Sequence, residues 1–130
     1  MTYEQLRAII IAKMMTFDGI EQERIDYLNP VVRFTPPQGG AWCRLYIEPA
    51  RPTVQGLCEP RARIPGTIVV QCFERTLHQS VGLIELVDKL VGHFQFWSVP
   101  GLLCREAQLI DMGVHDGVYQ LNVQIYFVAG

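Results

Sequence analysis

The sequence lacks the features that mark secreted, membrane-spanning and general DNA-binding chains. Its 130 residues carry 11 basic and 13 acidic side chains, whereas a DNA-binding domain usually has a clear basic excess. No apolar run approaches the roughly 18 to 20 residues that span a bilayer. The first residues also lack the basic start and small-residue cleavage site of a signal peptide. We therefore expect no membrane partner, and no primary affinity for free duplex DNA.

Closely spaced cysteines are also lacking, so the sequence predicts neither a zinc knuckle nor a redox motif. The four cysteines are Cys43, Cys58, Cys72 and Cys104. All but Cys58 lie in apolar, strand-like runs, where a thiol behaves as a small hydrophobic side chain. Free thiols of this kind are typical of a reducing compartment, which predicts a cytoplasmic location.

Catalytic and phosphate-binding motifs are missing as well. The three histidines, His78, His93 and His115, have no helical metal-pair spacing. Neither a G-x-S-x-G elbow nor a glycine-rich phosphate loop occurs. The sequence therefore predicts no catalytic residue, no metal and no cofactor.

Some side chains keep a chemical alternative open. Cys58 precedes two arginines that could lower its pKa. Glu21 with Glu23, or Asp111 with Asp116, could pair in space as general acid and base. Solvated surface positions are the favoured explanation for the carboxylates, and an incidental loop position or packing at an interface is the favoured one for Cys58.

Hydrophobic periodicity predicts two helices and four strands. The helices are expected at residues 2–16, with a capping box at Thr2 and Gln5, and at 80–94, with Ser80 as the N-cap. The strands are expected at 42–48, 66–74, 102–110 and 118–128, the second of them central because it is nearly all apolar. This order, α-β-β-α-β-β, predicts one α+β domain over residues 1–130. We expect an antiparallel or mixed sheet of about four strands, with both helices packed on one face.

The first strand alternates so regularly that both of its faces can be assigned. Trp42, Arg44 and Tyr46 share the face opposite the buried one. Two large aromatic side chains beside an arginine are typical of a second contact surface. These three residues are our candidates for a sheet face used between subunits.

Residues 49–65 show neither helical nor strand periodicity and contain four of the eight prolines. They also contain Arg51, Arg61 and Arg63, against a single glutamate. A loop of this length in a small domain is usually functional. Three interpretations stay open: an arm that orders on assembly, a weak phosphate-binding patch, or a tolerated insertion.

Several short motifs resemble one known family. They are DYLNP at 26–30, FTPP at 34–37, GAWCRL at 40–45 and GTIVVQ at 66–71. In their order along nearly the whole chain they resemble the small tail-terminator proteins of long-tailed phages and prophages, of the lambda type.

The resemblance implies an α+β domain that assembles as a hexameric ring on the phage tail tube. Such a minor tail protein ends tube polymerisation and offers a surface for head-tail joining. Its implied partners are the major tail tube protein, a head-completion or connector protein, and DNA passing through the channel. It is located in the virion, at the head-proximal end of the tail, and needs no enzymatic activity.

Within that assembly, we expect the three loop arginines to face the tube or channel and to contact acidic neighbours or passing DNA. Two alternatives stay open. One is another neck or tail-completion protein. The other is a small enzyme or ligand-binding dimer, with a deep pocket lined by His93 or Cys58.

Overall fold

The computed structural model describes residues 1–56, 61–75 and 81–130, which form an α+β domain with two helices and a curled mixed sheet. The helices are α1 (Tyr3–Met15) and α2 (Val81–Phe94). The strands are β1 (Ile25–Asp26), β2 (Ala41–Pro49), β3 (Thr53–Gln55), β4 (Arg61–Arg75), β5 (Ser98–Val99), β6 (Leu102–His115) and β7 (Val118–Ala129). A 3-10 turn, Gln22–Arg24, precedes β1.

The strands lie in the order β1-β2-β4-β7-β6-β5, and β3 pairs with the first residues of β4. The pairing of β1 with β2 is parallel, and the other pairings are antiparallel. The prediction that the apolar second strand is central is confirmed, because β4 lies between β2 and β7.

Both helices pack on the same face of the sheet, as expected. One cluster of buried side chains joins the apolar stripe of α1 and that of α2 to alternate residues of β2, β4, β6 and β7. The stripe of α1 is Leu6, Ile10 and Met14, and that of α2 includes Leu83, Val87, Leu90 and Phe94. The predicted face of β2 is in this cluster, since Cys43 and Leu45 are both buried there.

The capping box of α1 is confirmed. The backbone N–H of Gln5 donates to Thr2 Oγ1 at 3.1 Å, and the backbone N–H of Thr2 donates to Gln5 Oε1 at 2.8 Å. These bonds satisfy two donors that the start of a helix leaves free. The Ser80 prediction lies outside the described residues.

The expectation of about four strands is wrong. The four long strands are present, but the described chain holds seven, in the order α-β-β-β-β-α-β-β-β. The missed strands β1, β3 and β5 have two or three residues each. An alternating pattern needs at least four residues to be recognised, so such strands have no periodic signal.

The expectation of an irregular loop over 49–65 is also wrong for most of the segment. β2 continues to Pro49, and β4 begins at Arg61. Between them, Thr53–Gln55 pairs antiparallel with Arg61–Arg63. The segment is therefore largely a β-hairpin arm, although residues 57–60 lie outside the described part. Prolines at 49, 52 and 65 hid the strands because proline disrupts the usual strand pattern.

Candidate functional site

One face of the sheet has no helix on it among the described residues, and we call it the helix-free face. Along β4 this face carries the odd-numbered residues, because Ile64 and Ile68 point into the helix-packed core. The row includes Arg61, Arg63, Thr67, Val69, Gln71, Phe73 and Arg75. β7 adds two neutral amide side chains to this face, Asn122 opposite Gln71 and Gln124 opposite Val69.

Stacked aromatic rings and two arginines form a cluster at one end of this face. Trp42 lies on Phe73 with ring centroids 5.5 Å apart. Arg75 lies 5.2 Å from the centroid of the Trp42 ring, and Arg44 lies 5.6 Å from that of Phe73. Arg75 Nε also donates to the Pro37 carbonyl at 3.4 Å. Cation–π contacts of this kind hold guanidinium groups at fixed positions on a surface.

The three residues predicted as a subunit-interface face do share the helix-free face, but they differ in exposure. Trp42 is only 5% exposed within the single chain, so it offers little surface to a partner. Arg44 and Tyr46 are partly exposed, and Arg44 Nε lies 3.4 Å from Asp26 Oδ2. Partial burial, with the nearby Glu48 carboxylate, raises the pKa of Tyr46. Their role between subunits stays a prediction.

The three predicted loop arginines lie on or beside the β3–β4 arm, and all are exposed. Arg61 and Arg63 alternate on β4 and therefore point to the same side, while Arg51 precedes β3. Sequence reasoning missed a fourth arginine beside them. Arg63 and Arg105 line one hollow of about 360 Å³ together with Ser98. Only the long-range pairing of β4, β7 and β6 brings these two arginines together, so no local sequence pattern marks Arg105 as part of the hollow.

An apolar groove lies at the β2 edge of the sheet, beside α1, and it is lined by Leu45 and Ile47 from the helix side of β2 and by Tyr46 from the helix-free face. It has a volume of about 290 Å³. Its lining is Tyr3, Leu6, Arg7, Ile11, Tyr27, Leu28, Leu45, Tyr46, Ile47 and Pro49. Arg7 is the cationic residue of this lining, and its guanidinium lies 3.9 Å from the exposed Glu4 carboxylate. The groove was not predicted, because it depends on where α1 crosses the sheet.

Both edges of the sheet are only partly paired in the described chain. β1 covers β2 at Cys43 and Arg44 alone, which leaves the outer edge of residues 45–49 without a strand. β5 covers β6 at Leu102 and Leu103, and contacts from residues 95–97 reach β6 as far as Ala107. Beyond that point β6 pairs only with β7. Unpaired edges of this kind can accept a further strand.

The described histidines have structural partners. His93 Nε2 donates to the Lys13 carbonyl at 2.7 Å, and its ring meets Phe17 and Phe94 edge-on at 5.2 and 5.1 Å. It thereby joins the end of α1 to α2. His115 Nε2 donates to the Met112 carbonyl at 2.9 Å in the β6–β7 turn region. His78 lies outside the described residues, as does Cys58.

One of the two carboxylate pairs comes together. A hydrogen bond to Glu21, with charge repulsion from it, raises the pKa of Glu23. Both carboxylates are exposed, and Glu21 also lines an open hollow of about 490 Å³ with Asp18 and Arg24. In the other pair, Asp111 accepts instead from the Tyr119 hydroxyl at 2.7 Å and the Gly113 backbone at 2.9 Å.

Within residues 1–56, 61–75 and 81–130, no three His, Cys, Asp or Glu side chains are grouped as metal ligands would be. Over the same ranges, no helix is long and apolar enough to cross a membrane.

Comparison with known proteins identifies the fold. No protein-family model matches the chain, and no curated protein matches it. A solved structure whose name states no function is similar, with a TM-score of 0.74 at 16% identity over 100% of this chain and 96% of that chain. At that identity the likeness shows the fold alone. The chain therefore has an α+β fold, a curled mixed sheet with two helices on one side, that is shared with a solved structure.

Proposed function

We propose that the chain is a structural virion protein that caps the phage tail tube as a ring, ends tube polymerisation and supports head-tail joining. The proposal starts from the resemblance in residues 26–45 and 66–71 to tail terminators. The observation that carries it furthest is the separation of surfaces. In the described chain the sheet has two edges that are only partly paired and, apart from them, an arginine-bearing helix-free face.

A ring subunit needs such a division, because it must meet two neighbours and also face a central channel. The free edges of β2 and β6 serve the neighbours in this proposal. The β3–β4 arm, with Arg51, Arg61 and Arg63, serves the tube or the channel. Repetition of exposed arginines around a ring would give a strong positive field, although each copy contributes only a few charges.

The partners of the ring are the major tail tube protein on one side and a head-completion or connector protein on the other. DNA in the channel passes close to the arginines. The protein is assembled in the host cytoplasm and resides at the head-proximal end of the tail.

The test uses the major tail protein from the same genome. Purified tail protein is allowed to polymerise with and without this chain, and tube lengths are measured by negative-stain electron microscopy. We expect short tubes that carry a ring at one end when the chain is present. Tubes of unchanged length without an end ring would contradict tube capping, and binding to the connector alone would assign the chain to another neck position.

A further inference from the structure

We propose that the outer edge of β6 adds as an antiparallel strand to the outer edge of β2 in a second copy, so that Leu109 and Val114 enter the α1–β2 groove and Asp111 meets Arg7. This names the subunit contact of the proposed ring, and it rests on that proposed function for closure of the ring. The contact itself is argued from the two edges.

Each edge has the backbone groups that such an addition requires. In the described chain, residues 45–49 of β2 and residues 108–115 of β6 each pair with a strand on one side only. A strand in this state presents unpaired N–H and C=O groups to its open side. Strand addition satisfies both rows at once.

The side chains of β6 lie on the correct side of the sheet for the groove. Leu109 is opposite Val123 and Val114 is opposite Tyr119, and both of those β7 residues pack with the helix-side core. Yet Leu109 is 46% and Val114 57% exposed, so both side chains are largely uncovered within the single chain.

The groove offers the missing cover. Its lining includes the core residues Leu6 and Leu45, so it is continuous with the helix side of the sheet, and Tyr46 extends it to the β2 edge. A sheet that continues from β2 into a neighbouring β6 keeps its two faces. Leu109 and Val114 of the neighbour would then project toward α1, and burial of apolar surface on both sides would stabilise the contact.

The strand directions agree with this arrangement. β2, β4, β7 and β6 are successively antiparallel, so β6 runs opposite to β2 within one chain. Rotation about an axis along the strands preserves these directions, and the β6 of one copy meets the β2 of the next as an antiparallel partner. The two surfaces are different, so the contact is head-to-tail and can close into a ring.

Charge selects a second copy as the occupant. Residues 106–117 contain three acids, Glu106, Asp111 and Asp116, and no lysine or arginine. The groove contributes Arg7, whose ion pair with Glu4 is long and exposed. The Tyr119 hydroxyl holds the Asp111 carboxylate on the helix side of β6. An acidic, apolar strand therefore matches an apolar groove with a cation at its rim.

The test is a charge exchange followed by sedimentation velocity over a range of protein concentrations. We expect the full-length chain to self-associate, and Arg7→Asp or Asp111→Arg to weaken that association by about tenfold each, because like charges then meet at the contact. The double variant, which exchanges the two charges, should restore it. Leu109→Lys supplies an independent variant that keeps the Asp111–Tyr119 bond and should also weaken association.

The matched control is Lys89→Asp on the exposed side of α2, which reverses a charge away from both edges and should leave association unchanged. Circular dichroism checks that each variant is folded. A chain that stays monomeric up to about 1 mM, where even weak contacts populate dimers, would overturn the proposal. Equal effects of Lys89→Asp and Arg7→Asp, or no restoration in the double variant, would overturn it too. Association that follows this pattern while tubes remain uncapped would retain the contact and refute the capping function.

Discussion

Burial changes the chemistry of the described cysteines. Cys43, Cys72 and Cys104 have no measurable exposure. Burial raises the pKa of the Cys104 thiol to about 11. A hydrogen bond with Cys43, whose sulfur lies 3.9 Å away, and burial raise the pKa of Cys72. Thiolates are the reactive form, so Cys72 and Cys104 should be inert in the folded chain.

The raised thiol pKa predicts a loss of stability in alkali. The folded Cys104 holds its proton to about pH 11, whereas an unfolded thiol loses it near pH 8.5. Between about pH 8.5 and pH 11 the unfolded state binds fewer protons than the folded state, so the free energy of unfolding falls as pH rises. We expect Cys104 to contribute a slope of up to about 1.4 kcal/mol per pH unit, measured by urea denaturation from pH 8 to 10.

Cys104→Ala is the matched variant, because it removes one titrating group from the core. It lowers the free energy of unfolding at pH 7 but should have a shallower alkaline slope than the unchanged chain. Equal slopes in the two proteins would show that Cys104 does not titrate as the structure requires.

At the scale of elements, the close packing of β4 against β2 and β7 depends on one glycine. Gly66 lies opposite Phe127 of β7, and a Cβ built on Gly66 would be 2.5 Å from Phe127 Cζ and 2.8 Å from the Glu48 carbonyl oxygen. The space that a side chain needs is therefore taken by the aromatic ring and by the backbone of β2.

Gly66→Ala should lower the free energy of unfolding by about 1 to 3 kcal/mol, the usual cost of overpacking. Gly92→Ala is the control within α2, where a Cβ meets nothing within 4 Å. That substitution should raise the free energy of unfolding by about 0.5 to 1 kcal/mol, since alanine favours helix. Thermal unfolding of both variants checks the pair, and a neutral or stabilising Gly66→Ala would contradict the close packing.

The elements that the sequence predicts are those with enough residues to show a period or a cap. The cap at Thr2 and the four long strands belong to this group. β1, β3 and β5 do not, because two or three residues carry no alternation. The arginines are evident in the sequence, but the position of Arg63 and Arg105 around one hollow follows from the strand order. Strand order depends on contacts between distant residues, which local patterns do not encode.

At the scale of the whole molecule, the arginine arm and the sheet edges should be separable by mutation. Replacement of Arg51, Arg61 and Arg63 by alanine removes three exposed charges from the arm and leaves both edges unchanged. We expect self-association to persist while tube capping or head joining is lost. The readouts are sedimentation velocity and tube length by electron microscopy.

A matched control replaces Arg33 and Lys89, two other exposed cations, by alanine. This variant should cap tubes normally. If the arm variant also caps tubes and joins heads normally, the arginines have no part in contacts with the tube, the connector or DNA.

The length of β4 has a mechanical consequence. Its 15 residues extend about 50 Å, whereas the 14 residues of α2 extend only about 21 Å. β4 therefore runs continuously from the arginine arm to the Trp42–Phe73 stack, bonded on both sides to β2 and β7. A pull along this axis loads both ladders in shear, so many hydrogen bonds must break together before the strand slips. Tension applied at one end of the subunit is thus carried to the other without passing through the helices.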